Sequence, residues 1–208
     1  MQRSVFAGLP ILLLFAGSMR AQQPIETAYF PLKVGSQWTY RAGKDQVVVQ
    51  VDKQVTLEFK RDDKADKSEK AVGYQLKITS GQGDVTEQVA VLDDGVYRFS
   101  TAGKTIKPPL RFLKLGKGSP EWTVDCKTEE GKPITGKFVL GTDMVRLTIN
   151  GKPLELKTYT ATCKDLQVDD KHMEITYWYA ENFGMVKQHI KIGKQEITRE
   201  LEQFKPAP

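Results

Sequence analysis

Val145-Arg146-Leu147-Thr148-Ile149-Asn150-Gly151-Lys152-Pro153-Leu154-Glu155-Leu156 reads as one antiparallel β-hairpin. Asn-Gly supplies the two positive-φ residues that a type I′ turn requires, and its flanks alternate apolar with polar side chains. With Asn150-Gly151 as a two-residue loop, Val145 faces Leu156 and Leu147 faces Leu154 on one side, while Arg146 faces Glu155 on the other. Apolar and charge pairing select the same register. Asp93-Asp94-Gly95 marks a second hairpin. There a three-residue loop with glycine in the left-handed position pairs Val91 with Tyr97 and Val89 with Phe99. A two-residue loop would mix the faces, so the longer loop is expected. At Gly193-Lys194 a two-residue loop pairs Ile190 with Ile197 and Val186 with Leu201, and sets Lys191 opposite Glu196 and Lys187 opposite Glu200. This last hairpin is core on one side and an ion-paired solvent surface on the other.

The same grammar extends through the chain. Residues 46–51, 73–79, 85–92, 96–100, 121–127, 144–149 and 171–180 are short β-branched or aromatic runs separated by glycine turns. No long stretch has a helical period. Leu32-Lys33-Val34-Gly35-Ser36-Gln37-Trp38-Thr39-Tyr40 recurs, with an insertion of Lys117 to Ser119, as Leu113-Lys114-Leu115-Gly116 and then Trp122-Thr123-Val124. The recurrence suggests two similar halves, about 28–107 and 108–204, each with a glycine corner (Gly35, Gly116) and a tryptophan plug (Trp38, Trp122). The expected fold is all-β: an antiparallel meander forming a curved or incompletely closed barrel, one domain over 22–208.

Residues 1–21 read as a signal peptide: Arg3, an apolar stretch from Val5 to Ala16, and a cut after Ala21. No cysteine follows the apolar run to carry a lipid, so the expectation is an exported periplasmic or extracellular chain that is not a lipoprotein. The whole sequence has 31 Lys and Arg against 26 Asp and Glu, a net charge of +5, and loss of Arg3 and Arg20 leaves +3. So mild a balance does not indicate nucleic acid. The two cysteines, Cys126 and Cys163, lie in strand-like segments, and an even count in an exported chain points to a disulfide between them. Such a bond requires the sheet to curl back on itself. Two buried thiols are the alternative if a meander sets the strands too far apart.

Candidate chemistry is sparse. Residues 60–70 are a charged hairpin tip whose acids, Asp62, Asp63, Asp66 and Glu69, lack calcium-loop spacing. Residues 95–120 carry Arg98, Lys104, Lys107, Arg111, Lys114 and Lys117 and no acid, with Pro108-Pro109 between. That strip reads either as a contact for anionic envelope polymer or lipid headgroup, or as a stiff solvated connector. There is no nucleophile elbow, zincin motif or phosphate loop, and with only His172 and His189 no multi-histidine metal centre. Asp170, His172 and Glu174 alternate as the face of any exposed strand does. Tyr177-Trp178-Tyr179 with Phe183 is either core or a stacking platform. No catalytic, metal or cofactor residues are expected.

Tyr29-Phe30-Pro31-Leu32-Lys33-Val34-Gly35 with Trp38 and Tyr40, Pro109-Leu110 to Gly116 with Trp122, and Tyr177-Trp178-Tyr179-Ala180 with Phe183-Gly184-Met185-Val186 resemble a group of uncharacterised exported bacterial proteins of planctomycete type, similar to DUF3108-like domains. Through them the chain is distantly similar to the half-barrels of LolA- and LolB-type lipoprotein carriers, without their helical lid. The resemblance implies a structural role for Trp38, Trp122, Trp178, Gly35, Gly116 and Gly184. The expected function is a non-catalytic envelope protein that holds a lipid or other apolar or amphipathic ligand in a concave sheet. The alternative is a structural module that binds an envelope protein or polymer.

Overall fold

The computed structural model describes residues 27–61 and 66–208; the leader expected over 1–21 and the acids Asp62 and Asp63 lie outside them. The chain forms β1 (Gln37–Ala42), β2 (Asp45–Phe59), β3 (Glu69–Ser80), β4 (Gly83–Leu92), β5 (Gly95–Thr101), β6 (Lys104–Lys114), β7 (Glu121–Thr128), β8 (Pro133–Ile149), β9 (Lys152–Val168), β10 (Lys171–Ala180), β11 (Gly184–Ile192) and β12 (Gln195–Lys205). Each strand pairs antiparallel with the next, and β12 returns to β1 through Gln37↔Lys205 to Arg41↔Glu200. The barrel is therefore closed rather than left with free edges, and no helix occurs among the described residues.

Turn chemistry sets two registers as expected. Asn150 and Gly151 have φ of +51° and +74°, and Val145↔Leu156, Arg146↔Glu155 and Leu147↔Leu154 pair across them. Ile190↔Ile197, Lys191↔Glu196 and Lys187↔Glu200 pair across Gly193-Lys194. The Asp93 hairpin differs: its loop has two residues, with Leu92↔Gly95, Val91↔Val96 and Ala90↔Tyr97. The face-mixing argument fails here because both faces are buried. Val89, Val91 and Val96 join the main core, while Ala90, Leu92 and Phe99 lie in a second cluster with Leu57, Phe59 and Ala71. Those last three come from the β2–β3 tip, which parts from β4 beyond Tyr74↔Val89 and doubles over the outer face. The crossing is tight at Gly73, where a Cβ would run into Leu57 Cδ1 and lie 2.8 Å from the Val89 carbonyl.

The other long hairpin covers one end of the barrel. Strands β8 and β9 overrun their neighbours, since β7 stops at Glu121↔Val139 and β10 at Ala180↔Thr158. The overhang reaches across to β12: Asn150 N donates to the Glu202 carbonyl at 2.8 Å, Asn150 Nδ2 donates to the Phe204 carbonyl at 2.9 Å, and Phe204 N donates to Asn150 Oδ1 at 3.0 Å. Under this lid the segment before β1 inserts Phe30 and Leu32 into the core.

The weakest ladder is β6–β7, with only Ile106↔Thr128 and Lys107↔Lys127. Pro108 and Pro109 have no N–H to continue it. Trp122 spans the gap, donating its indole N–H to the Arg111 carbonyl at 2.9 Å and stacking on its cross-strand partner Phe138 at 5.3 Å. Trp38 behaves in parallel, stacking on its partner Phe204 at 5.4 Å and donating to the Phe183 carbonyl at 2.6 Å. Both rings are buried.

The expected disulfide is not formed. Cys126 pairs with Ile134 on β8 and Cys163 with Phe138 on the far side of β8, so a whole strand separates the thiols. Two ladder spacings are roughly 9–10 Å, beyond the ~7 Å that a disulfide tolerates between Cα atoms. Closure of the barrel curls the sheet, but it does not bring second neighbours together.

Two outcomes follow from this packing. Trp122→Ala should cost about 3–5 kcal/mol in urea unfolding, whereas Trp122→Phe, which keeps a ring on Phe138 and loses the bond across the seam, should cost roughly 1 kcal/mol plus a packing loss. Thiol titration of denatured, unreduced protein should yield both sulfhydryls. Recovery of neither would show a disulfide and refute the strand assignment of one cysteine.

Candidate ligand site in the barrel lumen

Side chains just fill a barrel of about eight strands. Twelve leave an excess, which the lid, Phe30, Leu32 and inward aromatics only partly occupy, and a cavity of about 320 Å³ remains. Its floor is formed by Leu32, Tyr40, Phe112, Tyr177 and Tyr179, with Phe30 edge-on to Phe112 at 5.5 Å. At the rim away from the lid, Ile78, Val168, Met173 and Ile190 line it and are only half-buried, which marks the mouth.

Between floor and mouth runs a polar belt. Register sets Tyr177 opposite Gln188 and Gln188 opposite Arg199, a row across β10, β11 and β12. From the far wall Arg98 on β5 reaches Tyr177, and its guanidinium lies 5.0 Å over the Phe112 ring. Arg98 Nε is 3.1 Å from Glu87 Oε2, and Glu87 Oε1 accepts from the Thr101 hydroxyl at 3.1 Å. Burial opposes the charge on Arg98, but Glu87 and then Tyr177 and Tyr179 overcome it, so its pKa is raised and it is a fixed cation.

The phenols are fixed donors. Burial, then Tyr177, pushes the Tyr179 hydroxyl well above the usual phenol range. Burial raises Tyr40 too, against the pull of Arg199. Tyr40 Oη donates to the Met185 carbonyl at 2.9 Å. Tyr179 Oη, Gln188 Oε1 and Arg199 Nε are shut off from water and have no hydrogen-bond partner among the described residues. Buried polar atoms in that state are uncommon and costly. Arg199 also lacks an ion pair among the described residues, because Glu87, the acid of the belt, is committed to Arg98.

A larger hollow of about 770 Å³ lies outside, between the β8–β9 tip and β12. Its charges satisfy one another, Arg41 with Glu200 and Glu202, and Arg146 with Glu155. The lumen, apolar with unsatisfied polar groups, is the better candidate for a ligand site.

The residues singled out from sequence fall elsewhere. The basic stretch is not a connector but strands β5 and β6 with the loop after them, and its cations do not form one strip. Arg98 points into the lumen; Arg111 binds Asp94 at 2.6 Å on the outside; Lys104 binds Glu130 at 2.6 Å; Lys114 donates to the Ser119 carbonyl at 2.6 Å. Lys107 and Lys117 remain exposed. Tyr177 and Tyr179 are core, whereas Trp178 faces outward, donates to Asp143 at 3.0 Å and holds that carboxyl below its ordinary range. Gly35, Gly116 and Gly184 sit at positive φ, where an L side chain is strained. His172 Nδ1 is 2.7 Å from Asp165, and His189 Nδ1 is 3.0 Å from Thr198, both on exposed faces. Burial pushes the Cys163 thiol up, away from nucleophilic character. Glu87, Gln188 and Arg199 were not anticipated. The signal was present: the register that faces Ile190 with Ile197 and Val186 with Leu201 puts Gln188 and Arg199 between them, on the core face.

No family model matches the chain, and no curated protein matches it. Two solved structures are similar. One, from Bacteroides fragilis and described as exported with a YmcC-like fold, shares 15% identity over 85% of this chain and 98% of its own, with a TM-score of 0.48. The other, described as a lipoprotein of Parabacteroides distasonis, shares 12% identity over the same fractions, with a TM-score of 0.51. At such identity the second likeness speaks to fold alone. The half-barrel comparison with LolA and LolB does not hold in detail, since this barrel is closed and its cover is a hairpin.

The belt can be tested by stability. Glu87→Gln should strip Arg98 of its counter-charge and cost roughly 3 kcal/mol, while Glu87→Leu combined with Arg98→Met should recover most of the loss. Equal losses for the single and double variants in urea melts would show that the pair is not coupled.

Proposed function

We propose that this protein is an exported, non-catalytic binding protein whose barrel lumen takes up one apolar or amphipathic small molecule. The observation that carries the reading is the residual cavity of about 320 Å³, roughly ten water volumes, walled by apolar side chains and open past half-buried Ile78, Val168, Met173 and Ile190. Ligand pockets usually begin near that size, with a few placed polar groups in an apolar wall. The apolar run ahead of the barrel, with Arg3 before it and a small-residue cut after it, supports a place in the cell envelope. The reading needs no metal, cofactor or nucleic acid.

Native mass spectrometry of protein purified from its own envelope should find retained lipid-sized mass. Ile78→Trp, which adds bulk at the mouth rather than in the packed floor, should abolish that mass while leaving the melting temperature within a few degrees. A bare chain for both proteins, with no uptake of an added apolar probe, would leave a structural module that contacts an envelope protein or polymer as the better account.

A further inference from the structure

We infer that the lumen selects an amphipathic anion, whose single acidic headgroup docks on Arg199 with Gln188 while its apolar body lies against the aromatic floor. This deepens the lumen reading and rests on it. Three features of the belt converge on a negative charge.

The first is charge balance. Arg98 and Arg199 line the cavity against Glu87 alone, and Glu87 is held by Arg98 and Thr101. One guanidinium is left over at a mostly apolar wall, half-buried with its Nε shut off from water, where an unpaired charge is disfavoured and a counter-ion is favoured. The second is donor direction. Arg199 Nε is a buried donor without an acceptor, and the Gln188 amide beside it, whose orphaned atom is Oε1, gives its N–H end to an anion by turning over about its last torsion. A carboxylate or phosphate oxygen accepts from the guanidinium and from the turned amide, and charge-assisted bonds of this type are the strong ones. The third is depth. Gln188 lies two residues inside Ile190 on β11, roughly 7 Å below the mouth at strand rise. The headgroup thus sits in the belt, with apolar wall on both sides of it. A neutral apolar molecule would leave Arg199 Nε unsatisfied and its charge unpaired.

The test is calorimetric titration of the exported full chain with decanoate, decyl phosphate, decanol and decyltrimethylammonium. Decanoate or decyl phosphate should bind about tenfold or more tighter than decanol, the scale of one charge-assisted bond, and the cation weakest. Whichever anion is tighter names the headgroup. Arg199→Met should erase the preference for the anion by weakening decanoate far more than decanol, and Arg199→Lys should restore part of it. If Arg199→Met does not fold, Gln188→Leu should reduce the preference in the same direction. Equal binding of decanoate and decanol, or a preference that survives both substitutions, overturns the assignment of an anion and leaves the lumen reading standing. Binding of none of the four overturns the lumen reading and this inference with it.

Discussion

The structure depends on the ladder between β1 and β12. It joins residues near 37–41 to residues near 200–205 and converts a twelve-stranded meander into a barrel. An open sheet of this length would present two unpaired edges, the usual route to unwanted association. Closure removes them and creates a different problem, because a barrel of twelve strands encloses more space than inward side chains can fill. The remaining devices answer that excess: a lid from the overlong β8–β9 hairpin, Phe30 and Leu32 from the segment before β1, and tryptophans stacked at the two places where the wall needs support.

Those two places are related physically. At β1–β12 the ladder joins the ends of the chain, and at β6–β7 prolines interrupt it. Each has a tryptophan stacked on the phenylalanine directly across the ladder, with the indole N–H given to a carbonyl. A large flat ring with one donor suits a wall that must be both sealed and tied to a nearby carbonyl. The β2–β3 tip serves another end, covering an outer face of β4–β5 that helices would cover in a layered fold.

The space that remains differs in its lining from a packing defect. Defects in cores are apolar and dry, whereas this cavity holds a row of aligned polar side chains that ends in one guanidinium, a second guanidinium from the opposite wall, and several buried polar atoms with no partner. A core selected only for stability would replace Gln188 and Arg199 with the aliphatic residues that flank them on both strands. Keeping them costs stability, and such a cost is what the proposed binding role accounts for.

The sequence by itself determined what local chemistry controls. Asn150-Gly151 and Gly193-Lys194 require particular turns, and a turn with alternating flanks admits one register, so those hairpins and the all-β class were legible residue by residue. The Gln188–Arg199 pair was legible on the same ground, as polar residues in a core-facing row. Tertiary structure decided everything that depends on distant segments. Ala90 and Leu92 became interior only because the β2–β3 tip folds over them, and this allowed the shorter Asp93-Asp94 loop. Cys126 and Cys163 stayed apart because both sit beside β8, a separation no count of cysteines contains. The cations of residues 98–117 were scattered because strand alternation and a glutamate on β4 drew Arg98 inward. Closure, and with it the lumen, rests on pairing between the two ends of the barrel, where the order of strands in space is set by the whole wall and not by any stretch of chain short enough to read.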